Sequence, residues 1–144
     1  MPVSDSTVLR AAKPTTGRVF ENGTANFRGR NIVETHGDRP ICVLVRTRRD
    51  VHDISEPVIE LVLGGVTKPD PHRRALNACE AVVHPVVIFA ESGNATFDAV
   101  IGQGAVNVVI EANRTGINRM LQISAPGMGR DPRFRNYNNK WRHD

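Results

Sequence analysis

Between His84 and Ser124 the apolar residues recur at every second position over several short runs. Val106, Val108 and Ile110 fall on one side of an extended chain, with Asn107 and Glu111 on the other. Ile117, Leu121 and Ile123 share a side with Arg119, against Asn118 and Gln122. Ser92-Gly93-Asn94, Gly102-Gln103-Gly104 and Asn113-Arg114-Thr115-Gly116 are turn-forming clusters that divide the stretch. Period-two alternation bounded by Gly and Asn predicts a meander of half-buried antiparallel strands. The residues from Phe97 to Ile110 also fit a helical stripe. Gly102 and Gly104, each costing about 1 kcal/mol in a helix interior, and the β-branched Val/Ile run weigh towards strands.

The same reading carried along the chain predicts its other elements. Residues 1–16 are small and polar, without a sustained period, and read as an arm. Asn22-Gly23, flanked by strand-like residues 18–21 and 24–27, is a hairpin signal, because both central positions of a type I′ turn need positive φ. A short strand is expected over 31–35. Ile41 to Thr47 is apolar on both faces in its first half and predicts a central strand. Pro57 to Leu63 predicts another, with Pro57 at its first residue, where no ladder donor is needed. The one helix expected runs from His72 to Val82, with Asp70 as cap, Pro71 in the first turn and Ala75, Leu76, Cys79 and Val82 as its apolar stripe.

Together these elements predict an all-β domain, a single antiparallel sandwich or barrel of about seven or eight short strands with at most one short helix. The expected organisation is an N-terminal arm over 1–16, a β domain over 17–125 and a basic, aromatic C-terminal arm over 126–144.

Composition narrows this picture. The 144 residues suffice for one domain with a real core. Hydrophobic residues are 40% and aromatics only 5%, so the core has to be aliphatic. The formal net charge of +4 is compatible with nucleic acid or an acidic partner without requiring either. Cys42 and Cys79 lie in apolar surroundings and read as free buried thiols. No segment approaches the ~20 apolar residues that span a membrane, and the N-terminal residues lack the apolar core of a signal peptide. A soluble protein folded in a cytoplasm is expected.

The C-terminal arm carries Arg130, Arg133, Arg135, Lys140 and Arg142, interleaved with Phe134, Tyr137 and Trp141. Arginine and large aromatics are the usual anchors of protein interfaces, and the same mixture suits single-stranded nucleic acid through phosphate neutralisation and base stacking. Arg46, Arg48 and Arg49, with Arg39 before the same strand, form a second candidate phosphate-contacting patch. No pair among His36, His52, His72, His84 and His143 has metal-ligand spacing, so no metal is expected. Ser92 lies in a turn rather than a G-x-S-x-G elbow. Gly102-Gln103-Gly104 lacks the context of a phosphate loop, and no cofactor is expected. The Asn-x-Thr triplets at Asn22, Asn94 and Asn113 are explained by turn chemistry.

With no catalytic constellation and two arm-like ends, the functional expectation is a structural assembly protein, not an enzyme. It would form or cement a homo-oligomeric, virion-like particle through its arms, with copies of itself or another subunit as partners. The alternatives are a barrel that binds nucleic acid weakly and non-specifically, and a small enzyme whose site is assembled from scattered residues.

Overall fold

Phe20, fully buried, sits at the centre of β1 (Val19–Glu21), and β1 sits at the centre of a five-stranded sheet. The computed structural model describes residues 17–23, 31, 32, 39–51 and 59–124. Its other strands are β2 (Ile41–Val45), β3 (Ile59–Leu63), β4 (Ala81–His84) and β5 (Met120–Gln122), in the spatial order β3-β2-β1-β4-β5. Every neighbouring pair is parallel: Val19 registers with Ile41 on one side and Ala81 on the other, and Val82 with Met120.

The expected antiparallel sandwich or barrel is therefore wrong, and the reason lies in β2. All five of its residues are buried. A strand covered on both faces is what a parallel sheet with helices above and below requires. Strand alternation divides these residues between two clusters. Cys42 and Leu44 join Phe20 and Val82 on one face, whereas Ile41, Val43 and Val45 pack with Leu61 and Leu63 on the other. The expected hairpin at Asn22-Gly23 also fails, because both edges of β1 are taken by parallel partners. Asn31 and Ile32, assigned to a strand from sequence, are helical.

Helix α1 (Pro69–Leu76) connects β3 to β4. It starts earlier than the sequence suggested and ends at Leu76, so Val82 belongs to β4. Asp70 is not its cap. Lys68 holds that position without a side-chain bond, and Asp70 in the first turn pairs with Arg73 at 3.3 Å. Pro69 and Pro71 fit there because first-turn residues have no intrahelical N–H partner.

The largest correction concerns the meander. Residues 98–114 form a π-helical segment (Asp98–Gln103) running into helix α2 (Gly104–Arg114). Ile101, Ala105, Val108 and Ala112 are all buried, and their spacing of four, three and four is that of a helix. Gly104 does not break the element; it lets α2 approach the chain after β3, where an added Cβ would lie 3.2 Å from Val66 Cγ2. The cluster at 113–116 is the helix C-terminus. Gly116 has φ 77° there, and Ile117 N donates to Ala112 O at 2.9 Å. The turn at Ser92 to Ala95 does exist, as an isolated antiparallel bridge.

Helices α1 and α2 lie against one face of the sheet and bury Ala75, Leu76, Val108 and Ala112 on Phe20, Leu44 and Val82. They are clamped by Glu111, which is 1% exposed and receives Arg73 Nε at 3.1 Å and Arg114 Nη1 at 2.9 Å. Among the described residues no helix is long and apolar enough to cross a membrane.

Candidate functional site

In an open parallel sheet the chain connections leave opposite faces at the point where strand order reverses, and a crevice opens beyond the C-terminal strand ends. Here that point lies between β1 and β4, whose C-terminal ends are Glu21 and His84. The side-chain amide of Asn22 lies across the junction, with its nitrogen 2.8 Å and its oxygen 2.9 Å from His84 Nδ1. Both residues are buried, so this contact fixes the first residue after β1 against the end of β4.

A cavity of about 350 Å³ opens beside this junction. Asn22 and Gly23 contribute from directly after β1, Leu44 and Val45 from β2, Arg46 from just beyond it, and 64–67 from the turn after β3. Val86, Val87 and Ile88, Asn94 and Ala95 from the turn beyond them and, from the π-helical segment, Val100 complete it. The walls are mainly aliphatic, and Arg46 supplies a cation at the rim. A mostly apolar concavity with a few placed polar groups is the usual form of a small-molecule site.

The turn after β3 is held from behind. Asn107 Nδ2 donates to Val66 O at 3.0 Å, and Gln103 Nε2 donates to Asn107 Oδ1 at 2.9 Å. The amide of Asn107 is thereby satisfied at both ends although the residue is only 6% exposed. At the β1 end, Gly23 N donates to Glu21 Oε1 at 2.5 Å, inside the buried tip of the strand.

Two titratable groups lie behind the site. His72 is fully buried, its Nδ1–H donates to Lys68 O at 2.9 Å, and Phe20 meets it edge-on with centroids 6.0 Å apart. Burial lowers its pKa from the ordinary 6.5, partly offset by the Lys68 carbonyl and by Glu111. The hydrogen bond between Cys42 and Cys79, followed by burial, pushes the Cys42 thiol far up. Both cysteines are free, and Cys79 Sγ also donates to Ala75 O at 3.3 Å. Among the described residues no three His, Cys, Asp or Glu side chains are grouped to hold a metal ion.

Of the arginines singled out from sequence, Arg46 lines the cavity, and Arg48 and Arg49 stand in the 3-10 turn that follows β2 (Arg48–Val51). All three are exposed. Arg39 precedes the other end of β2, roughly 20 Å away along an extended chain, and does not join them. Arg130, Arg133, Phe134, Arg135, Tyr137, Lys140, Trp141 and Arg142 lie outside the described residues. Sequence reasoning missed Gly23, Val66, Val100 and Asn107. The available signal was a strand followed by Asn22-Gly23 and, 23 residues beyond Gly23, Arg46 directly after a second strand, the spacing of a strand–helix–strand nucleotide unit.

Comparisons with known proteins agree with this geometry. A family described as NAD(P)H-binding matches residues 27–144. Uronate dehydrogenase from Agrobacterium tumefaciens superimposes with a TM-score of 0.66 at 18% identity, over 78% of this chain and 42% of its own. Pen from Bacillus thuringiensis gives 0.74 at 15% identity, over 87% and 42%. The Bordetella bronchiseptica enzyme WbmG, solved with NAD and UDP, gives 0.60 at 22% identity, over 73% and 36%. The chain thus spans about two-fifths of the length of these proteins. No curated protein matches it. The family match and the parallel sheet overturn the expectation of a structural, virion-like assembly protein without enzymatic activity. The barrel of the nucleic-acid alternative is corrected as well, since the described strands form an open parallel sheet.

Proposed function

The chain belongs to the NAD(P)H-binding family, whose match runs over residues 27–144, and from that premise we propose that it forms the dinucleotide-binding unit of an NADP(H)-dependent oxidoreductase. One observation carries the reading: an aliphatic cavity at the strand-order reversal has Arg46 at its rim. In folds of this kind an acidic residue about 20 positions beyond the first strand binds the ribose hydroxyls of NAD, whereas an arginine there accommodates the extra 2′-phosphate of NADP. This chain has Arg46-Thr47-Arg48-Arg49 at that place, with three exposed cations and no acid.

The residues present fit the adenosine half of such a cofactor. Leu44, Val45, Val66, Val86 and Val100 offer the apolar contacts an adenine needs. Arg46 offers a planar, permanently charged fork for a phosphate. The fit at the pyrophosphate is poorer, because the chain has Gly23 and Gly29 with five residues between them, which is not the G-x-G-x-x-G spacing. The bound cofactor would supply the hydride donor or acceptor of the reaction. The part of this chain is to bind and orient it, with Asn107 and Gln103 holding the Val66 wall and Asn22 and His84 fixing the floor.

Titration of intrinsic NADPH fluorescence against the purified chain, with NADH in parallel, tests the proposal. NADPH is expected to bind at least about tenfold more tightly, and Arg46→Ser to remove most of that difference. Equal affinity for both nucleotides would overturn the assignment to NADP(H), and no binding of either would overturn the nucleotide reading itself.

A further inference from the structure

The chain has two cysteines, and the fold brings them side by side from different elements. Cys42 is the second residue of β2, is 1% exposed and belongs to the core cluster around Phe20. Cys79 lies in the turn between α1 and β4 and packs, half-buried, against the same cluster. Each thiol has one hydrogen to give. Cys79 Sγ gives its own to Ala75 O at 3.3 Å. In the hydrogen bond between the two thiols Cys42 is therefore the donor, and a lone pair of Cys79 Sγ faces it. A single buried cysteine is usually no more than a small apolar filler. Two sulfurs in direct contact, one of them within reach of solvent, have chemistry open to them.

We propose that Cys42 and Cys79 form a dithiol–disulfide redox site, closed by hydrogen peroxide acting first on Cys79 and reopened by a dithiol reductant. The site is distinct from the cavity and does not depend on the nucleotide reading. Cys79 is the point of entry, because its neighbours Asn77, Ala78 and Glu80 are exposed whereas Cys42 is sealed in the core. Its sulfur, as the thiolate, attacks one peroxide oxygen. The O–O bond breaks, and the leaving hydroxide takes up the thiol proton and departs as water. Cys79 is then a sulfenic acid, oxidised by two electrons. Cys42 Sγ next attacks Cys79 Sγ, so that the S–S bond forms and the S–O bond breaks. The second hydroxide leaves with the Cys42 proton, also as water. Two thiols and one peroxide thus give one disulfide and two waters. The bond to Cys79, followed by burial, pushes the Cys42 thiol far up, so it does not begin the sequence and still holds the proton that the second step discharges. The turn at 77–80 is the side that can follow the closing sulfurs, since β2 is held by β1 on one edge and β3 on the other.

Mass spectrometry of the unaltered, fully reduced chain tests the proposal, after treatment with hydrogen peroxide under native conditions, quenching, and alkylation with iodoacetamide in urea. The expected product is two hydrogens lighter than the reduced chain, takes up no iodoacetamide, and gives a pair of proteolytic peptides joined through Cys42 and Cys79. Dithiothreitol should restore both thiols. The yield should stay the same within about twofold over a tenfold range of chain concentration, because the two groups are already held together in one molecule. Cys42→Ala should stop one oxygen heavier, with Cys79 trapped by dimedone as the sulfenic acid, and Cys42→Val serves if that variant does not fold. Cys79→Ala should slow the oxidation of Cys42 by about tenfold or more. Sulfinic acid at Cys79 with Cys42 still alkylated, or a disulfide found only between two chains, would overturn the proposal. So would two unreacted thiols at a peroxide excess that converts cysteine to cystine in the same vessel.

Discussion

Asn107, in the middle of α2, donates its side-chain amide to the main-chain oxygen of Val66 across 3.0 Å. That bond ties a helix on one face of the sheet to the turn that walls the cavity. Replacing Asn107 with Leu leaves the Val66 carbonyl without this donor and Gln103 without its acceptor. A loss of about 1–3 kcal/mol in unfolding free energy is expected, measured by urea denaturation. NADPH affinity should fall as well, because Val66 is released. Unchanged stability together with unchanged affinity would show that the bond matters to neither.

Gly64 predicts a steric effect of a different kind. A Cβ built on it would collide with the ring of Pro71 at the start of α1, so the sharp passage from β3 to α1 depends on its absence. Gly64→Ala should destabilise the fold by about 1–3 kcal/mol, as overpacking does. Gly65→Ala, whose Cβ would meet only Thr67 Oγ1 at 3.9 Å, is the matched control and should cost much less. Similar urea midpoints for the two variants would contradict the packing described for this turn.

Acid should destabilise the protein in two windows. Burial holds His72 below its ordinary value of 6.5, so between that pH and its lowered value the unfolded chain binds a proton that the folded chain does not. Stability is then full above about pH 6.5 and falls as pH drops through that window. Glu111 adds a second decline. Its hydrogen bond from Arg73, and then the charge of Arg114, hold its carboxyl below the ordinary 4.5 against the opposing effect of burial, so its contribution is lost as pH falls below that value. Urea midpoints measured from pH 8 to pH 3 should show both declines, and His72→Gln should remove the upper one. A flat profile between pH 7 and pH 5 in the unaltered protein would contradict the buried, neutral His72.

Several elements were legible in the sequence, and their arrangement was not. The run Ile41 to Val45 announces a strand buried on both faces, which β2 is. A run apolar on both sides is itself the sign of a parallel sheet, yet the alternation read into 84–124, together with the hairpin signal at Asn22-Gly23, points to an antiparallel fold. Asn-Gly serves any turn that needs a residue free of steric restriction, and here it leads out of a strand that has parallel partners on both sides. From 97 to 110 the dense valines and isoleucines satisfied both periods. Two glycines tipped the reading towards strands on grounds of intrinsic propensity, although Gly104 is in the helix because Val66 must come close. The site was scattered for the same reason. Gly23, Arg46, Val66 and Val100 converge only when parallel strands bring their C-terminal ends to one edge. The arginines were noticed as phosphate-seeking groups, but nothing local to them revealed the aliphatic cavity alongside.

The most direct measurement is a ¹⁵N heteronuclear titration of the chain with NADPH, following each backbone amide. The largest shifts are expected to cluster at Gly23, Arg46, Val66, Val87 and Val100, around the cavity. Arg18 and Glu60, paired at 2.7 Å near the opposite strand ends, should stay still. Shifts concentrated away from the cavity, or none at millimolar NADPH, would contradict the placing of a dinucleotide at the reversal between β1 and β4.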